Sequence, residues 1–235
     1  MGNQSGMANL GIITINNKRQ QVLRLWLAQI QRLRRDTDSF IPACVVSGEE
    51  DKQLCLSMSV AHVTQPNEPV SFKWNHAMCY MRDVINADAC CIMGSDDIMS
   101  TSYYLKTLEQ VEKGIDLIGT ESAYFYCGQG MDRGRLTKLQ GKAMLGIGKT
   151  VSKRVLNEAD WTLWRTAKGW GMDAMAQQEI VKHNPSKAVI DDIIVDVKTR
   201  ENLNSFNVFK KRPQVDANLF YNILSKEELE ILKSL

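Results

Sequence analysis

The sequence predicts an α/β fold with a mostly parallel central sheet flanked by helices, and three observations carry that prediction. Short β-branched or apolar runs alternate, through the first half of the chain, with longer stretches whose apolar residues recur at helical spacing. One run, residues 89–93 (ACCIM), is apolar throughout, as suits a strand covered on both faces. Polar loops at Asn16-Asn17, residues 47–51 and residues 94–97 all follow expected strands, at the carboxyl ends where ligands gather in such sheets.

Residues 10–15 (LGIITI) form the first expected strand, and residues 20–33 a helix with Val22, Leu23, Leu25, Trp26, Ile30 and Leu33 on its apolar face. Residues 41–46 (IPACVV) repeat the strand signal, closed by the polar loop 47–51. A second long helix is expected over 71–85, then the buried strand 89–93, a helix over 100–113, and a strand over 115–119 that residues 123–127 extend or follow. The second half is less regular. Residues 128–154 are rich in glycine and basic side chains, residues 155–167 read as a helix, and Gly169-Trp170-Gly171-Met172-Asp173 opens another helix to about residue 182. Two β-rich pieces flank Asp191-Asp192, and the amphipathic segment 225–235 begins Ser-Lys-Glu-Glu, a helix-start signal. No internal repeat or low-complexity linker divides the chain, so one domain is expected.

Composition narrows the function classes. With 235 residues, 44% apolar and 24% charged, the chain can bury a full core without disulfides and is far from the profile of disorder. The 29 basic and 27 acidic side chains nearly cancel, so bulk charge selects no partner. Six cysteines lack any C-x-x-C pair and several lie in apolar runs, which reads as reduced and cytosolic. His62, His76 and His183 lack zinc-ligand spacing. Neither an export signal nor a membrane span is evident, and nothing points to an obligate protein partner.

The acidic turn Gly94-Ser95-Asp96-Asp97 is the strongest chemical signal. Two adjacent carboxylates after a buried strand suit a hard divalent cation, Mn²⁺ or Mg²⁺, which prefers oxygen ligands and keeps sites open for phosphate. The same residues also suit an N-cap for the following helix.

The opening LGIITINNKR, the triplet Lys73-Trp74-Asn75 and the stretch ADACCIMGSDDIMS together resemble the nucleotide-binding half of GT-A glycosyltransferases, particularly the family 2-like enzymes. The resemblance implies a Rossmann-like GT-A domain, with a nucleotide-sugar-binding half over about 8–119, an acceptor half over about 120–210 and a C-terminal tail with a helix over 211–235. It implies a nucleotide-sugar donor, UDP being the common nucleotide in this fold, and a metal held by Asp96 and Asp97, with His183 as a candidate third ligand. Gly94 stands where the family carries its first aspartate. Around the donor the resemblance nominates Thr14, Asn16 and Lys18 after the first strand, Ser47 and Glu49 after the second, Lys73, Asn75, Ser95 and Asp96, and Lys198, which resembles a basic residue closing over the diphosphate.

The stretch LGIGKTVSKRVLNEADWTLWRTAKGWGMDAMAQQEI is similar to the family's acceptor half. By that resemblance Asp173 is the general base that removes the acceptor's hydroxyl proton in an inverting transfer. An acid in the first turn also suits the helix dipole. Residues 128–154 carry a local excess of six positive charges, including Arg133, Arg135 and Lys149, and Trp170 offers a stacking surface. With the similarity of residues 195–203 to phage-type members, this patch points to a DNA acceptor carrying a hydroxymethylated pyrimidine. A glycan or lipid-linked acceptor is the alternative, and an inactive nucleotide- or DNA-binding domain is a third.

Overall fold

The computed structural model describes residues 8–37, 40–166, 171–200, 202 and 205–235. In chain order the first elements are β1 (Leu10–Ile15), α1 (Gln20–Asp36), β2 (Phe40–Val46), α2 (Glu49–Ser57), β3 (Ala61–Thr64), α3 (Val70–Tyr80), β4 (Ala89–Ile92), β5 (Asp97–Met99), α4 (Thr101–Glu112), β6 (Leu117–Gly119) and β7 (Ser122–Cys127). There follow β8 (Leu136–Gln140), β9 (Lys149–Ser152), α5 (Lys153–Glu158), α6 (Met172–Val181), β10 (Lys187–Val189), β11 (Ile194–Lys198), β12 (Gln214–Val215), α7 (Asn218–Tyr221) and α8 (Lys226–Ser234).

Seven strands form the first sheet in the order β10-β6-β9-β4-β1-β2-β3, and only β9 runs against the others. Successive side chains of a strand point to opposite faces, and both faces are apolar here. Leu10, Ile12, Cys44, Val46, Ala89 and Cys91 pack with Trp26, Tyr103 and Tyr104 of α1 and α4. Ile13, Val45, Cys90 and Val151 pack on the other side with Trp74, Leu156 and Ile180 of α3, α5 and α6. This is the mixed, mostly parallel sheet flanked by helices that the runs predict.

A second sheet, β12-β8-β7-β11-β5, is mainly antiparallel and differs from the single central sheet that the sequence predicts. Its strand β7 covers the segment expected to extend or follow the strand before it. The two β-rich pieces around Asp191-Asp192 part here, β10 going to the first sheet and β11 to the second. Helix α5 stops well short of the expected 155–167, because Asp160 and Trp161 adopt left-handed φ values of 51° and 52°. The acidic loop after β2 instead starts α2, whose first turn carries Glu49, Glu50 and Asp51 at the positive end of the helix dipole. Residues 81–85 continue α3 as a π-type turn. No helix among the described residues is long and apolar enough to cross a membrane.

The C-terminal helix α8 braces the centre of the molecule. Ser225 and Glu228 form a capping box, and the same Glu228 carboxylate accepts from Arg32 Nε of α1 at 2.9 Å. Arg32 also donates to Met99 O at 2.7 Å, while Gln29 bonds Asp97 O at 3.1 Å and Met99 N–H at 2.6 Å. Two buried polar side chains of α1 thus hold the short edge strand β5. Glu228→Ala is expected to strand a buried guanidinium and lower stability by about 3–5 kcal/mol, measurable by denaturant unfolding.

Candidate active site

At the carboxyl edge of the first sheet, Met93 N–H donates to Ile13 O at 3.0 Å and the chain then turns sharply. Asp97 N–H donates to Gly94 O at 3.1 Å, and Gly94 N–H donates to the Asp97 carboxylate at 2.5 Å. A Cβ at Gly94 would lie 2.7 Å from Asp96 Oδ1 and 3.1 Å from Asp97 Oδ2, so glycine here lets both carboxylates fold back over the turn. The N-cap role belongs elsewhere, to Ser100, whose Oγ accepts from Tyr103 N–H at 2.9 Å. The acidic pair is therefore not spent on capping α4.

Antiparallel pairing of β5 with β11 sets Asp196 opposite Asp97. Oxygen atoms of Asp96, Asp97 and Asp196 lie within 4.8 Å of one another. Burial first, then the charges of Asp196 and Asp96, push the Asp97 carboxyl well above the usual range. Asp196 is pushed up to about 7 by burial and by Asp96, with Lys198 opposing, and its Oδ1 is buried without a hydrogen-bond partner. Crowded oxygen donors with one orphaned oxygen fit a hard divalent cation. Because that cation must displace a proton, Mn²⁺ binding is expected to strengthen as pH rises from 6 to 8, by up to about tenfold per unit below pH 7. Calorimetry at several pH values would measure it, and because the folded state holds the Asp196 proton more tightly than the unfolded chain, its contribution to stability is lost as pH rises from the ordinary carboxylate range through about 7.

A cavity of about 210 Å³ joins this cluster to the head of α6, with Trp74, Gly146, Trp164 and Asp173 among its walls. Asp173 is exposed in the first turn of α6, with its carboxyl group against the backbone of Gly146, where a Cβ would fall well inside contact distance. Trp74 and Trp164 stack with ring centroids 5.6 Å apart, and Asn75 fixes Trp164 by donating to its carbonyl at 2.8 Å. Asp96, Asp97 and Asp173, nominated from sequence, thus line one cavity with Trp74 and Trp164 and with Asp196 and Gly146, the last two of which sequence reasoning did not nominate.

The other nominated residues divide. At the end of β1, Thr14 Oγ1 and both polar atoms of the Asn16 amide are buried without a partner, and Ser95 is buried on the acidic turn, where its Oγ accepts from Arg19. Lys73 is 1% exposed and donates to Asn16 O and, at 2.6 Å, to Ser47 Oγ. Burial lowers its ammonium to about 8. Lys73 and Ser47 therefore tie β1 to β2, and Asn75 holds Trp164. Lys18 takes a left-handed φ of 56° and donates its N–H to Asp51 at 3.0 Å, and Glu49 bonds Gln53 and Lys52 on the exposed side of α2. Lys198 is buried, paired with Asp196 and set 5.7 and 5.5 Å from the stacked rings of Phe125 and Phe209.

His183 is not brought to the acidic cluster. It lies ten residues after Asp173, past the other end of α6, about 15 Å along the helix axis, and its Nδ1 is 3.3 Å from Glu158. The basic run does not form one tract either. Arg133 donates to Lys233 O and Arg135 to Lys210 O at 2.7 Å, both holding the C-terminal tail. Lys149 is 3% exposed in the other sheet and donates to Gln177 at 2.7 Å, with burial lowering its ammonium. Arg154 is taken by Asp116 at 2.8 Å, which holds that carboxyl well below its usual range. Trp170 lies outside the described residues.

The mixed, mostly parallel sheet with helices on both faces and an acidic turn at its carboxyl edge is a fold found in known glycosyltransferases. Two solved structures share it. TarS from S. aureus superposes with a TM-score of 0.59 at 12% identity, covering 82% of this chain and 37% of that one. A mannosyltransferase, PcManGT from Pyrobaculum calidifontis in complex with GDP-Man and Mn²⁺, superposes with a TM-score of 0.60 at 8% identity, covering 84% of this chain and 59% of its own. The chain thus spans less than two thirds of either neighbour. No protein-family model matches it, and no curated protein matches it in sequence.

Proposed function

We propose that this protein is a metal-dependent glycosyltransferase that moves a sugar from a nucleotide-sugar to a hydroxyl acceptor. The observation that carries the reading is the single cavity shared by the three-carboxylate cluster and Asp173. Asp96, Asp97 and Asp196 would hold Mn²⁺ or Mg²⁺, which when bound offsets the charge growing on a departing nucleoside diphosphate. Asp173 takes the acceptor's hydroxyl proton as that oxygen bonds to the anomeric carbon and the carbon's bond to the diphosphate oxygen breaks, inverting the centre. The unpartnered amide of Asn16 and hydroxyl of Thr14 supply hydrogen-bonding capacity for the nucleoside. UDP is the nucleotide favoured by analogy of fold. The GDP-Man held by the mannosyltransferase neighbour makes a guanosine donor the comparison.

For the acceptor, the reading carried by resemblance is a hydroxymethylated pyrimidine in DNA. The aromatic wall of Trp74 and Trp164 suits a base turned out of its stack. The engagement of Arg133, Arg135 and Arg154 inside the chain weakens the case for a continuous phosphate track, which leaves a glycan hydroxyl as the second acceptor. The test is incubation with Mn²⁺ and a panel of UDP- and GDP-sugars on hydroxymethylated duplex DNA, unmodified DNA and oligosaccharides. A mass gain on modified DNA alone supports the first acceptor, and transfer only to a glycan replaces it. Nucleotide or DNA binding with no transfer and no donor hydrolysis would leave a binding domain instead.

A further inference from the structure

Asp96 carries an internal counter-ion. Lys18 turns the chain through its left-handed conformation, and the next residue, Arg19, reaches the acidic turn from the N-terminal boundary of α1. Its Nη2 lies 3.3 Å from Asp96 Oδ1 and donates to Ser95 Oγ at 3.2 Å, while Asn202 donates to the other Asp96 oxygen. Arg19 Nε is buried and makes no hydrogen bond, so the guanidinium retains donor capacity beyond its present partners. Lys198 stands on Asp196 in the same way. Three carboxylates within 4.8 Å thus meet two cations from their own chain.

A divalent cation on Asp96 and the guanidinium of Arg19 compete for the same negative charge. Once the metal neutralises the cluster, an arginine fork beside it is matched to a new anion, and a diphosphate presents oxygens at the spacing of its paired donors. We propose that Arg19 is an exchanging counter-ion, pairing with Asp96 in competition with the divalent cation and binding the donor's diphosphate when the cation takes that carboxylate. The inference rests on the acidic cluster being the donor site, and it adds a role for a residue that neither the acidic motif nor its resemblance nominates. It also makes cation and nucleotide binding cooperative, since each relieves a pairing that opposes the other.

The test separates the two affinities. Mn²⁺ binding without nucleotide, followed by manganese electron paramagnetic resonance, and UDP and GDP binding at saturating Mn²⁺, followed by calorimetry, are measured for wild type, Arg19→Gln and Arg19→Lys. For a partly exposed pair, Arg19→Gln is expected to tighten Mn²⁺ binding about two- to fivefold. It should weaken binding of the preferred diphosphate by about tenfold or more, while Arg19→Lys stays nearer wild type on both. A packing role would instead weaken both or leave both unchanged, and either result overturns the proposal. If Arg19→Gln does not fold, Arg19→Met keeps the aliphatic stem and carries the same comparison. Wild type that binds neither Mn²⁺ nor a nucleoside diphosphate defeats the donor-site reading itself. Wild type that binds both while the variants lack the opposed shifts defeats only the role of Arg19.

Discussion

Asp173→Asn is expected to reduce sugar transfer by about 10²–10⁴-fold while donor binding stays near wild type. The amide keeps the size and hydrogen-bonding reach of the carboxylate but cannot accept the acceptor's proton. Asp173 lines the same cavity as Asp96, Asp97 and Asp196 but is not part of their cluster among the described residues, so loss of the base should leave Mn²⁺ and nucleotide affinities in place. Gly146→Ala provides a geometric companion, because a methyl group there must displace the Asp173 carboxyl group without changing its chemistry. It should lower transfer in the same direction. Single-turnover rates beside donor affinities make the measurement, and near-normal transfer by Asp173→Asn would remove it as the base. A position used only for its favourable interaction with the α6 dipole would show a small loss of stability and little change in rate.

The second large effect is expected from Asp96→Ala, which should abolish Mn²⁺-dependent binding of the donor. Residues that merely orient metal ligands are worth about 10–100-fold in metal affinity, so loss of a ligand should cost at least that much. Asp96 is the better probe because Asp97 also closes the turn by accepting from Gly94 N–H, and its replacement would disturb backbone as well as charge. Calorimetry with Mn²⁺ and UDP or GDP, compared with circular dichroism of the same samples, separates a lost ligand from a lost fold. Unchanged metal-dependent binding would move the cation site away from this turn. In the Asp96→Ala background, Arg19→Gln should no longer tighten Mn²⁺ binding, since the pair it breaks is already gone.

The sequence by itself determined the parts of this protein whose cause is local. The strands β1, β2 and β4 are legible because continuous apolar runs mark strands covered on both faces. The turn after β4 is legible as a polar, glycine-led break, and the Ser-Lys-Glu-Glu start of α8 as a capping box whose bonds span only three residues. Asp173 at the head of α6 follows from the same kind of signal. The tertiary structure decided what depends on residues far apart in the chain. Asp196 joins Asp97 through the β5–β11 pairing, a register that leaves no mark in either short strand taken alone. The basic run divides because β8 and β9 enter different sheets, and Lys73 serves the core because its ammonium reaches the ends of β1 and β2 together. The acidic turn itself lies on both sides of this line. Its place at the sheet edge is local in origin, but its third carboxylate, its arginine counter-ion and the cavity before it exist only once distant segments close around it.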